Sequence, residues 1–85
     1  MARYYFDIRD GAFNADKEGQ ELPSLSSARH AALETLHGLM QGRSKGFWGG
    51  QPWHVQCHDE RGLILFTLTL TGLDAAAVRL GGSSH

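Results

Sequence analysis

The sequence predicts an α+β fold: a small antiparallel sheet of three or four strands with one long helix packed on one face, in the order β-(β)-α-β-β. Three observations predict it. Apolar side chains alternate at every second residue from Arg3 to Arg9, recur at three- and four-residue spacing from Leu25 to Met40, and alternate again on both sides of Asp59-Glu60-Arg61-Gly62. A length of 85 residues with 41% hydrophobic content suits one small domain with one core, and leaves no room for a catalytic domain plus a separate binding domain.

In the first strand Tyr4, Phe6 and Ile8 share one face, while Arg3, Tyr5, Asp7 and Arg9 share the other. Asp10-Gly11 breaks the run, and the polar, acidic stretch from Ala12 to Glu21 reads as a loop or a ragged second strand ending near Leu22. Leu25, Ala28, Ala32, Leu36, Leu39 and Met40 then form one stripe, with Leu33 at its margin, which predicts a helix from 24 or 25 to about 41 facing a core. Ser24 is its expected N-cap and Gly42 its expected stop. The glycine-rich stretch from Gly42 to Pro52 carries Arg43, Lys45, Phe47 and Trp48, and those two rings require cover. Trp53, Val55 and Cys57 alternate with His54, Gln56 and His58, and the turn chemistry after them predicts a hairpin with Leu63 to Leu70.

In that last strand Ile64, Phe66, Leu68 and Leu70 fall on one side and Leu63, Leu65, Thr67 and Thr69 on the other, so both sides are expected to be at least half buried. Asp74 is placed to cap a short C-terminal helix running to Leu80. Residues 1–80 are thus expected to form a single α+β domain, with 81–85 as a disordered tail.

The segments Arg3-Tyr4-Tyr5-Phe6 with Asp10-Gly11, Asp16-x-Glu18-Gly19-x-Glu21-Leu22-Pro23, and Trp53-x-Val55-x-Cys57-x-Asp59-Glu60-x-Gly62, together with a helix carrying Ala28 and Ala32, resemble a known family. It is the group of short single-domain proteins of unknown function abundant in alphaproteobacteria, and the likeness covers about residues 3 to 70. The resemblance implies a strand, loop, helix, strand, strand plan in a bacterial cytoplasm, and it brings no activity, cofactor or catalytic residue. A looser likeness is to antitoxins whose strand, strand, helix core pairs with small ribonuclease toxins.

Charge and motifs exclude several function classes. A net charge of -1 offers no field for capturing a polyanion, and the longest apolar stretch, Leu63 to Leu70, is far below the ~20 residues of a membrane-spanning helix. Asp7 stands where a signal peptide needs apolar residues, and the lone Cys57 has no disulfide partner in the chain, which points to a cytoplasmic protein. No serine elbow, phosphate loop or dinucleotide fingerprint is present.

His30, Glu34 and His37 stand at i, i+4 and i+7, so a helix projects them from one face where three metal ligands would sit; a solvated helix face has the same spacing. His54 and His58 share a strand face about 13 Å apart, too far for one ion. Cys57 and His58 point to opposite faces and form no thiolate and base pair. Asn14-x-Asp16-x-Glu18-Gly19 imitates half a calcium loop, but Leu25 occupies the position where that loop needs a bidentate glutamate.

A short chain buries only about 60% of its unfolded surface, so the core is expected to gain from a companion. The reading is a noncatalytic protein-interaction or self-assembly module without cofactor. Its expected partner is a second copy of itself, and another protein besides. The expected contact residues are Tyr5, Phe47, Trp48, Leu63, Leu65, Thr67 and Thr69. An antitoxin-like nucleic-acid-associated regulator, using Arg43, Lys45 and Trp48, is the first alternative. A small metal-binding protein centred on His30, Glu34 and His37 is the second.

Overall fold

Strand β1 (Ala2–Arg9) forms where the two-residue alternation begins, and it organises everything else. The structure, a computed structural model, describes residues 1–43, 47–48 and 50–75. Around β1 lie β2 (Phe13–Asn14), β3 (Gln20–Leu22), the helix α1 (Leu25–Arg43), β4 (Trp53–His58) and β5 (Ile64–Leu70). The sheet runs β2-β1-β4-β5 with β3 also paired to β1, and every pairing is antiparallel.

The fold is therefore α+β as expected, with more strands than expected. The acidic stretch supplies two short strands, one at each end of the outer side of β1.

Register fixes the core. Val55 sits opposite Ile8 on one side and Leu68 on the other, and Cys57 opposite Phe6 and Phe66, which brings the apolar face of three strands into line. Tyr4, Phe6, Trp53, Val55 and Cys57 are buried against Ala28, Ala32 and Leu36 of α1. The two alanines carry the contact because a small side chain lets the helix backbone approach the sheet closely, and both are essentially inaccessible. Ser24 caps α1: its Oγ accepts from the Ser27 N–H at 3.1 Å. The helix passes Gly42 and ends at Arg43.

Two expectations about burial are corrected. A β-bulge between Cys57 and His58 sets Cys57 opposite Phe66 and His58 opposite Ile64, so Leu65 is the extra residue. The bulge turns Leu65 to pack against the core and leaves Ile64 on the other face, 55% exposed. The second face of β5 is thus not half buried: Ile64, Thr67 and Thr69 are all exposed.

On the helix, Leu25 and Met40 belong to the apolar stripe, but they stand 37% and 43% exposed, and Leu33 is 55% exposed. The helix lies over β4 and β3 and leaves its other flank uncovered. Asp74 and Ala75 are not helical, and residues 76–80 of the expected terminal helix lie outside the described residues. Among the described residues no helix is long and apolar enough to cross a membrane.

Candidate functional site

Opposite the helix the sheet presents an open face made from the alternate residues of β1, β4 and β5. It is polar on β1 and β4, as the alternation predicts, because the residues that alternate with the core are Arg3, Tyr5, Asp7 and Arg9 on β1 and His54, Gln56 and His58 on β4. Cross-strand pairing joins them. His54 Nδ1 lies 2.9 Å from Thr69 Oγ1, and the Gln56 amide donates to Thr67 Oγ1 at 3.4 Å. Arg3 donates to the Glu18 carbonyl at 2.6 Å and pairs with Glu21 at 3.2 Å.

His58 is the hub. Register sets it opposite Tyr5, and the two rings stack at 5.2 Å with planes 5° apart. Its Nε2 lies 3.2 Å from Asp7 Oδ2, both side chains being mostly buried, and its Nδ1 lies 2.9 Å from the Asp59 carbonyl oxygen. Both ring nitrogens are thus committed to protein oxygens, and neither is left to take a proton from a substrate.

Asp7 continues the network. Its Oδ1 accepts from the Asp16 N–H at 2.9 Å. The Asp16 carboxylate in turn accepts from the N–H groups of Phe6 (3.1 Å), Glu18 (3.1 Å) and Gly19 (3.0 Å). Burial raises the Asp16 pKa, but the N–H bonds from Gly19, Phe6 and Glu18, with His58 nearby, outweigh it and hold the carboxyl below the usual aspartate value.

The calcium-loop likeness dissolves here, since the Asp16 oxygens are spent on backbone donors. Gly19 completes the loop at φ +71°, and a methyl group there would lie 2.9 Å from both the Tyr4 carbonyl oxygen and the Tyr5 ring. The acidic motif is a clasp that folds the segment onto β1.

The residues singled out in the sequence are scattered. Tyr5, Thr67 and Thr69 share the open face. Leu63 precedes β5 and is 63% exposed, while Leu65 is turned to the core. Phe47 packs edge-on against Trp53 at 5.0 Å and Trp48 at 5.5 Å, at the far end of the core, with Trp48 still 63% exposed. Lys45 and the side chain of Arg43 lie outside the described residues.

On α1, His30 is 3.5 Å from Glu34, whereas His37 Nε2 faces the Gln41 amide at 3.2 Å. Among the described residues no group of three His, Cys, Asp or Glu side chains is placed to hold a metal ion. Cys57 is fully buried, and burial pushes its thiol up to about 11, on the face opposite His58.

The Asp7–His58–Tyr5 cluster and the Asp16 clasp were not recognised from sequence. The available signal was the acid at Asp7 within an otherwise aromatic strand, but its partner depends on a register between residues some fifty positions apart. No curated protein and no solved structure matches the chain. Residues 3–71, from β1 through the clasp and helix to the end of β5, match the model of the family described as Domain of unknown function (DUF6894), and the chain belongs to that family.

Proposed function

We propose that the protein is a noncatalytic, cytoplasmic self-assembly module that pairs with a second copy of itself along the outer edge of β5, which no strand extends among the described residues. The observation that carries this reading is the character of that edge. β5 is seven residues long, ends the sheet order, and contains neither a charged residue nor proline, the usual devices that keep an edge from pairing.

The strand complements itself. An antiparallel pairing centred on Thr67 overlaps all of Ile64–Leu70 and sets Phe66 against Leu68 of the second copy, keeping the core sides together. The core is open on the same side. At about 100° per residue the flank of α1 carrying Leu33 and Met40 lies opposite the flank that carries Ala31 and Thr35 beside β3. Met40 shares a cavity with Leu70 of β5, so the apolar flank overhangs the edge that a second copy would extend. The commitment of both His58 nitrogens and the buried, high-pKa Cys57 thiol support a noncatalytic role.

Light scattering on a sizing column at tens of micromolar should give twice the 9.3 kDa chain mass. Thr67→Lys, which sets two ammonium groups face to face at the symmetry axis on an exposed position, should give the single-chain mass with an unchanged circular dichroism spectrum. A wild-type protein that stays at the single-chain mass would refute self-assembly, and a dimer indifferent to Thr67→Lys would refute the β5 edge.

A further inference from the structure

The open face ends in a corner built from the last residue of β1, the turn after it and the start of β4, and nothing in the self-assembly reading uses it. A cavity of about 390 Å³ lies there, lined by Arg9, Gly11, Phe13, Gln51, Pro52 and His54 among others. We propose that this corner binds an oxyanion, a phosphate or carboxylate, carried on a small apolar group.

Arg9 is prepared for such a ligand. Its guanidinium carbon lies 4.4 Å from the centre of the Phe13 ring, a cation–π contact that holds the side chain over that ring. Among the described residues no hydrogen bond or ion pair takes its N–H groups, in contrast to Arg3, which is spent on Glu18 and Glu21. A planar guanidinium held this way offers two parallel N–H groups to one phosphate or carboxylate.

His54 supplies a second polar contact. Register sets it directly opposite Arg9, so the two side chains project from the same face of neighbouring strands. Its Nδ1 is held by Thr69, which leaves Nε2 for a ligand, and the Gln51 amide adds a further donor beside it.

Electrostatics favour an anion over a cation. Among the described residues no acidic side chain lines the cavity, in a chain whose acids outnumber its bases. Asp7, two positions along the same strand face, is already committed to His58 and to the Asp16 N–H. Phe13, half exposed, and Pro52 give the apolar part of the ligand a surface to lie on. An aromatic phosphate or carboxylate matches that combination of fork and ring.

The test is a nitrogen-15 NMR titration of the whole chain with phenyl phosphate, benzoate and inorganic phosphate, with phenol as the uncharged control. Phenyl phosphate or benzoate should move the amide signals of Gly11, Phe13, Gln51 and His54 in a saturable way below about 10 mM, with phenol moving none of them. Whichever of the two binds more tightly identifies the oxyanion, and weaker binding of inorganic phosphate confirms the apolar contribution. Arg9→Gln should weaken binding at least about tenfold while Arg9→Lys retains part of it. Absence of saturable shifts, shifts equal with phenol, or undiminished binding by a folded Arg9→Gln variant would overturn the site.

Discussion

Phe6 sits on the outer side of β1 where neither β2 nor β3 reaches, and its N–H is met by the Asp16 carboxylate at 3.1 Å. An unmet donor there would cost about 1–3 kcal/mol, so a side chain has taken the place of a strand. Asp16→Ala should destabilise the fold by about that amount in urea titrations at pH 7. The pH dependence follows from the lowered Asp16 pKa. A carboxyl whose folded value lies below its unfolded value of about 3.9 contributes fully above that value, and the contribution fades as pH falls through the folded one. The stability gap between wild type and Asp16→Asn should therefore be constant from pH 7 to about pH 5 and close below about pH 4. A gap that widens in acid would contradict the assignment.

At the scale of elements, α1 carries a glycine that the fold does not require. Gly38 lies mid-helix, exposed, and an added methyl group would meet nothing within 4 Å. Gly38→Ala should raise stability by about 0.5–1 kcal/mol in thermal or chemical denaturation, through helix propensity alone.

The helix was legible because Ser24 and the alanine stripe mark it locally, though it runs past its expected stop at Gly42, and β1 and the hairpin were legible because alternation is a local pattern too. The bulge at Leu65 was not. Leu63-Ile64-Leu65-Phe66 reads as unbroken apolar sequence, so one extra residue leaves no mark, yet it exchanges the faces of Ile64 and Leu65. The clasp was illegible for a different reason: Asp16 bonds to backbone N–H groups, which every residue but proline carries, so no side-chain pattern announces them.

The turn between β4 and β5 shows the intermediate case. Asp59-Glu60-Arg61-Gly62 announced a turn, and Asp59 Oδ1 accepts from the Arg61 and Leu63 N–H groups at 2.8 and 3.0 Å, with Gly62 at φ +86°. The Leu63 bond leads the causes that lower the Asp59 pKa.

For the molecule as a whole, the exposed apolar surface lies in a different place from the one the sequence indicated. It lies along the helix flank and the β5 edge, because alternation on β1 and β4 made the opposite face polar. If a second copy completes this flank, unfolding releases two chains, and the melting temperature depends on concentration. A tenfold increase in protein should raise it by about 3–5 °C in wild type and leave Thr67→Lys unmoved, as read by differential scanning calorimetry.

The carboxylate plug on β1 also bears on how far such association runs. With Phe6 stoppered by Asp16, and with β2 and β3 only two and three residues long, the opposite margin of the sheet is a poor template for another strand. Growth from the β5 margin alone would use up that binding end at the first encounter. If β5 pairs as proposed, association stops at two copies and does not run on into fibres.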